Sequence, residues 1–389
     1  MKNFIYDIQT KVYFGPNQIP GNLSSEIKKF GSKVLLVYGG GTIKKLGLYD
    51  EIICDLKSSG IQVFELSEIK PNPRSTSVLE GAKICKRENI DVVLAVGGGS
   101  VIDASKFIAA GRYYEGDPWD FMTGKAKIER ALPVFSILTL SATGSEMDAC
   151  GVITNEKTKE KLGKASPFLR PKVSFLDPTL TYSVSKYQTA CGSADILSHI
   201  IETYFYSYDA MYMLDKFMEG LMKTVIKHAP IALREPENYQ ARANLMWTSS
   251  WAINGFIKQD KTHEWSCHPI EHELSAFYDI THGLGLAILT PRWMRYVLDE
   301  ENVDRFYGFG VNVFDIDKNL SKMEVAKKAI YKLEEFLYKD LNLTDTLTKL
   351  NIDDRYFEIM AKRITKNGAL KGFKDLDKDD IVKIYQACL

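Results

Sequence analysis

The chain has no excess of charge of either sign. Fifty lysines and arginines balance fifty aspartates and glutamates. That balance removes the electrostatic case for nucleic acid or an anionic membrane as partner. No apolar run is long enough to cross a bilayer. The N-terminus, Met1-Lys-Asn-Phe-Ile-Tyr-Asp-Ile-Gln-Thr10, lacks the apolar core and cleavage site of a signal peptide, which points to a cytoplasmic protein. Cysteine is sparse: Cys54, Cys85, Cys150, Cys191, Cys267 and Cys388 are scattered without paired spacing, so a disulfide framework is not expected. Histidine is equally sparse, with six in 389 residues, and four of the six (His263, His268, His272 and His282) fall within 20 residues of one another.

That window is the densest chemistry in the chain. His268 and His272 are an i, i+4 pair that projects from one helix face, with Pro269 tolerable if the helix starts near Ser266. His282 follows, and is itself followed by Gly283. A second i, i+4 pair, Asp195 and His199, lies on an amphipathic segment upstream. Neutral imidazoles and a carboxylate are good divalent-metal ligands. The same letters, His268-Pro-Ile-Glu271-His272, also match the inverted zinc-peptidase pattern, in which Glu271 would be a general base.

At this length one hydrophobic core rarely suffices, and the chain divides in character near Asp177-Pro178-Thr179-Leu180. Before it, apolar runs predict strands over 33–38, 61–66, 91–96 and 133–138. They alternate with helices over 48–58, 75–88 and 100–110, as in a parallel sheet covered on both faces. After it, only long amphipathic patterns are found, over 210–228, 240–257, 284–298 and 322–338. We therefore expect an α/β dinucleotide-binding domain over residues 1–182 and an all-helical domain over 183–389 that carries the metal and the chemistry.

Three turns in the first half suit a nucleotide cofactor. Gly97-Gly98-Gly99-Ser100 joins a predicted strand to a helix, where backbone N–H groups and the helix N-terminus can hold a pyrophosphate. It is not the G-x-G-x-x-G fingerprint. Thr139-Leu-Ser141-Ala-Thr-Gly-Ser145 places hydroxyls after a later strand, and Asp103 either caps the helix, bonds a ligand hydroxyl or is solvated. Gly39-Gly40-Gly41-Thr42, followed by Lys44 and Lys45, offers space, a hydroxyl and positive charge where an acidic residue would mark an unphosphorylated ribose. That favours NADP(H).

Together, Gly97-Gly-Gly-Ser-Val-Ile-Asp103, Ser141-Ala-Thr-Gly-Ser-Glu146, Asp195-x-x-x-His199 and His268-x-x-x-His272…His282-Gly283 resemble the iron-containing, or group III, alcohol dehydrogenases, over the whole chain and in the family's order. Within the family the resemblance is to the butanol dehydrogenases and NADPH-dependent aldehyde reductases. It implies a dehydroquinate synthase-like fold: a Rossmann-like α/β domain, an all-α domain and an active site between them. It implies Asp195, His199, His268 and His282 as ligands to Fe(II) or Zn(II), and His272 as a non-ligand histidine near the nicotinamide. Gly98, Gly99 and Ser100 match the pyrophosphate loop, Thr139 and Ser141 the hydroxyl-lined turn, and Lys161 a lysine near the nicotinamide. Relatives that prefer NADH tend to have Asp at the position of Gly39, which again implies NADP(H). A primary alcohol or aldehyde substrate and a homodimer are the expected partners. A polyol or glycerol-type NAD-dependent dehydrogenase of the same fold is the alternative.

Overall fold

The computed structural model describes residues 4–206, 212–259 and 264–389. His263, and Ala210 at the start of one predicted helix, lie outside the described residues. The chain forms two compact units, one of Asp7–Val184 and one of Ser185–Leu389 together with the N-terminal residues through Tyr6.

The first unit is built on strands β1 (Lys11–Phe14), β2 (Lys33–Tyr38), β3 (Gln62–Leu66), β4 (Val92–Gly97), β5 (Val134–Leu138), β6 (Cys150–Asn155), β7 (Glu160–Ala165) and β8 (Val173–Leu176). Its helices are α1 (Asn22–Ile27), α2 (Thr42–Lys45), α3 (Leu48–Ser58), α4 (Ser75–Glu88), α5 (Gly99–Gly111) and α6 (Trp119–Thr123). Six strands make a wholly parallel sheet in the order β1-β8-β5-β4-β2-β3. The central strands are buried along their length because helices cover both faces, which is why they read as unbroken apolar runs. From β2 the chain moves outward to β3, and from β4 it moves the opposite way to β5 and β8. The order therefore reverses between β2 and β4, the place where open α/β sheets bind ligands at their carboxyl ends. Both triple-glycine turns leave those two neighbouring strands, and Thr139 leaves β5 beside them.

Four strands escaped the sequence reading. β1 and β8 are four residues each and gain their ladder from one another and from β5. β6 and β7 form a separate antiparallel hairpin. The sequence of β7, Glu-Lys-Leu-Gly-Lys-Ala, has neither β-branched residues nor clean alternation, so only pairing makes it a strand.

In the second unit the helices are α7 (Lys186–Phe205), α8 (Tyr212–Arg234), α9 (Tyr239–Trp251), α10 (Cys267–Tyr278), α11 (His282–Val297), α12 (Val303–Phe314), α13 (Lys322–Glu334), α14 (Phe357–Ile364) and α15 (Lys378–Gln386). α7 is buried from Thr189 to Phe205 on all sides, so it is the axis around which the others pack. α8 runs through Pro230 to Arg234, beyond the expected end at 228. α9 stops at Trp251, short of 257, because the chain turns at Gly255, whose φ of 101° suits glycine. α13 ends at Glu334 and passes into a π-helical turn over Glu335–Asp340. Among the described residues no helix is long and apolar enough to cross a membrane.

The edge strand β1 is fastened to α1 by one buried carboxylate. Glu26 accepts from Lys11 Nζ at 2.5 Å, Lys29 Nζ at 2.8 Å and Tyr13 Oη at 2.8 Å. Burial raises its pKa, but these three donors outweigh burial and hold the carboxyl down at about 2. A carboxyl depressed on folding contributes stability that is present above its unfolded value, near 4.5, and lost as pH falls towards 2. Both lysines are more than half exposed, which screens the gain to an upper bound of about 3 kcal/mol. Glu26→Gln should therefore lower the melting temperature at pH 7 and converge on the wild type near pH 2. A constant difference across that range in a calorimetric pH series would contradict this assignment.

Candidate functional site

Asp195 and His199 stand one turn apart on α7, each 3% exposed, with His199 Nε2 3.9 Å from Asp195 Oδ1. His268 comes from the first turn of α10 and His282 is the first residue of α11. His282 Nε2 lies 3.6 Å from the same Asp195 oxygen, and the rings of His199 and His268 stack at 4.7 Å. Ligand atoms of Asp195, His268 and His282 all fall within 4.8 Å of one another. The indole of Trp265 walls one side, 4.2 Å from the His268 ring and 5.3 Å from that of His199.

Local sequence explains how these helix ends converge. Pro269 sits in the first turn of α10, where no intrahelical N–H is lost. Gly283 lets α11 close onto α7: a Cβ there would stand 2.0 Å from the Cys191 carbonyl oxygen. A Cβ on Gly285 would meet Glu271 Cγ at 2.7 Å, so the His-Gly-Leu-Gly run is shaped by packing around the histidine.

Two carboxylates complete the arrangement: Glu202, which the motif reading passed over, and Glu271, which it offered only as a base. Glu202, one turn beyond His199 on α7, accepts from the backbone N–H groups of Ser266 (2.6 Å), Cys267 (2.9 Å) and His268 (3.0 Å). It caps the N-terminus of α10 from another helix, and it also bonds His268 Nδ1. Burial pushes the Glu202 carboxyl up to about 8, against the pull of the three backbone donors. Glu271 bonds His282 Nδ1 through one oxygen and Ser275 Oγ through the other, and is fully buried. The signal for both was available: a carboxylate at i+3 from each of two candidate ligands, His199 and His268, on a buried helix face.

The donor set fits a divalent transition metal on this geometry. A carboxylate on Nδ1 fixes the tautomer of His268 and His282 and turns Nε2 to the cluster, the outer-shell pattern of metal-bound imidazoles. Burial, followed by the neighbouring imidazoles, holds His199 well below its ordinary pKa and so keeps it neutral, as a ligand must be. A second group, Glu271, His272 and His282, meets the same spacing. It is the poorer site, because both Glu271 oxygens are already bonded to His282 and Ser275. The same fact overturns the peptidase alternative: Glu271 is an orienting group in the interior, not a base facing substrate. His272 is half-buried, its ring 5.5 Å from that of His282 and 6.3 Å from that of His268.

In the other unit, Gly98 caps α5 with no side-chain hydrogen bond, which leaves first-turn N–H groups for an anion. The glycines are also crowded by protein. A Cβ on Gly98 would meet Leu140 Cβ at 3.2 Å, and one on Gly99 would meet Thr143 Oγ1 at 2.2 Å. The hydroxyl-rich Thr139–Ser145 turn is thereby pressed against the loop, with Thr139 N–H donating to the Gly97 carbonyl at 3.1 Å. Ser100, Thr139 and Ser141 are each partly exposed. Gly41, at φ 88°, caps the short α2. Lys44 does not simply offer its charge there. Its ammonium sits over the rings of Tyr38 (5.3 Å) and Tyr49 (4.6 Å), whose hydroxyls both bond Glu65. Asp103 and Lys161 are buried, Lys161 in β7 opposite Thr154.

A parallel sheet whose glycine turns suit a nucleotide, and a helical unit whose ligands suit a divalent ion, define a metal-dependent nicotinamide enzyme class. Residues 9–178 match the iron-containing alcohol dehydrogenase family, and residues 189–389 match the C-terminal part of the Fe-containing alcohol dehydrogenase family. NADH-dependent butanol dehydrogenase A of Clostridium acetobutylicum is 49% identical over 99% of both chains. NADPH-dependent aldehyde reductase YqhD of Escherichia coli is 34% identical over the full length of both. The crystal structure of an NADH-dependent butanol dehydrogenase A from Thermotoga maritima superposes with a TM-score of 0.94 at 40% identity, covering 100% of this chain and 99% of that one. The chain belongs to the iron-containing alcohol dehydrogenase family.

Glu202→Gln and Glu271→Gln should each weaken Fe(II) or Zn(II) binding by about 10- to 100-fold. Competition with a chromophoric chelator measures this directly. Unchanged affinity in both variants would remove their role in orienting the rings.

Proposed function

We propose that this chain is an NADP(H)-dependent alcohol dehydrogenase that interconverts primary alcohols such as butanol with their aldehydes, with one Fe(II) or Zn(II) on Asp195, His199, His268 and His282. The observation that carries the reading is the convergence of one buried carboxylate and three imidazoles, two of them backed by buried carboxylates. The names of relatives, butanol dehydrogenases and an aldehyde reductase, support the substrate class. When bound, the ion supplies a Lewis acid for the carbonyl oxygen, and the nicotinamide supplies the hydride.

The chain's own residues do the rest. Asp195 lowers the net charge of the metal site and so keeps the alcohol product releasable. His272, half-buried beside His282, gives and takes the proton at the alcohol oxygen. Backbone N–H groups at Gly98, Gly99 and Ser100 hold the pyrophosphate, and the Thr139 and Ser141 hydroxyls line the same crevice. Lys161 lies near the nicotinamide. The protein acts in the cytoplasm, as a homodimer.

Gly39 favours NADP(H). A Cβ there would meet only the Ile69 carbonyl oxygen at 3.5 Å and Val101 Cγ2 at 3.9 Å, ordinary contacts, so packing does not demand glycine. The missing side chain leaves room for a 2′-phosphate and no carboxylate to repel it. NADH as preferred cofactor is the second reading, favoured by relatives at 49% and 47% identity that are named NADH-dependent.

Butanal reduction followed at the nicotinamide absorbance separates these readings. The wild type should show the higher kcat/KM with NADPH, and Gly39→Asp should lower that value about tenfold or more while sparing NADH. Higher kcat/KM with NADH in the wild type would establish the second reading. His268→Ala should lose metal and activity together. His272→Ala should keep its metal and slow turnover by about 10²- to 10⁴-fold. Loss of metal from the His272 variant would make that residue a ligand.

A further inference from the structure

Lys106 is fully buried in the middle of α5, and neither the metal site nor the cofactor loops account for it. A buried ammonium is costly unless it is paired and hydrogen-bonded. Its Nζ donates to Ser145 Oγ at 2.7 Å and to the Cys150 carbonyl oxygen, and lies 4.0 Å from Asp103 Oδ1. Asp103 in turn accepts from Ser145 Oγ through Oδ1 and from the Val152 N–H at 2.9 Å through Oδ2. The two charges and one hydroxyl form a closed buried set that ties together three separate segments.

What they hold is an edge strand. Ser166 N–H donates to the Ala149 carbonyl oxygen across the hairpin, so the backbone groups of residues 150, 152 and 154 face away from β7. In that direction Cys150 C=O meets Lys106, Val152 N–H meets Asp103, and Thr154 N–H donates to the Pro73 carbonyl oxygen at 2.8 Å. A helix's side chains thus stand where a neighbouring strand would be. Gly151 permits the approach, since a Cβ there would lie 3.0 Å from Phe107 and 3.5 Å from Asp103. Two residues beyond Val152, Thr154 pairs with Lys161. Ser145, the third member, ends the Thr139–Ser145 turn that packs on Gly98 and Gly99.

We propose that the Asp103–Lys106 pair is a positioning device that docks the β6–β7 hairpin and the Thr139–Ser145 turn onto α5, and so sets the affinity for the nicotinamide cofactor. This gives Asp103 a place inside the protein in exchange for the ligand contact expected from sequence. The inference rests on the reading that the dinucleotide is held at the start of α5. Lys106 and Asp103 act through the segments they hold and touch no reacting atom.

Three measurements on the full-length protein test it: the Kd for NADPH by nicotinamide fluorescence, hydrogen exchange of the 150–161 segment, and thermal melting. Ser145→Ala removes the shared hydroxyl and should raise the Kd and KM for NADPH about tenfold, with faster exchange over 150–161 and an unchanged KM for butanal. Lys106→Met leaves Asp103 buried beside a lost counter-charge and should be worse. If that variant does not fold, the charge-neutral pair Asp103→Asn with Lys106→Met decides, and it should fold, bind NADPH weakly and exchange fast. Wild-type Kd in both Ser145→Ala and the double variant overturns the proposal. So does weakened binding without faster exchange, which would make Ser145 a direct ligand contact. A wild-type chain that binds neither NADPH nor NADH refutes the nicotinamide reading and the role built on it, whereas normal binding by wild type and variants alike refutes only the positioning role.

Discussion

The carboxylate of Glu202 is the interaction on which the proposed metal centre depends. α7 is buried almost throughout and fixes Asp195 and His199 in space, but the second imidazole, His268, arrives on a different helix. A single group solves two problems there. It satisfies three N–H donors at the start of α10, which would otherwise need a local cap, and it takes the Nδ1 of His268 so that Nε2 looks inward. Helix docking and ligand orientation are therefore one event. Glu271 repeats the logic for His282, with Ser275 holding its second oxygen.

The two units carry distinct kinds of chemistry and build them differently. In the helical unit the candidate site is made of side chains, and its buried carboxyl groups would offset the charge of the proposed cation. In the α/β unit the useful groups are mostly backbone, exposed where strands end on either side of the reversal in sheet order. Glycine serves a double purpose there, keeping side chains out of a crevice and letting the next turn press close. The buried pair on α5 belongs to the same economy, since it fixes loops without spending any group that faces a ligand.

Much of this was legible in the sequence because the relevant periodicities are strong. Central parallel strands are apolar runs, and Asp195 with His199 and His268 with His272 are i, i+4 pairs. What was not legible depended on pairing and distance. β7 has no strand pattern of its own and exists because β6 lies beside it. The i+3 spacing marks Glu202 and Glu271 as candidates but not their roles, which depend on partners 66 and 11 residues away. The H-x-x-E-H letters shared with zinc peptidases mislead for the same reason: the pattern is identical, and only the direction in which Glu271 points separates a base from a buried strut. Lys44 reads in the sequence as free positive charge, whereas its ammonium lies over the rings of Tyr38 and Tyr49, whose hydroxyls bond Glu65.

The central claim is that one ion is held by Asp195 and the inward nitrogens of three histidines. Anomalous diffraction at the iron edge, from crystals grown anaerobically with Fe(II), tests it most directly. The account requires a single peak about 2.0–2.2 Å from an Asp195 oxygen and from Nε2 of His199, His268 and His282, with Glu202 and Glu271 still on the Nδ1 atoms. A peak bound by Glu271 and His272, or ligation through Nδ1 of His268 or His282, would contradict it.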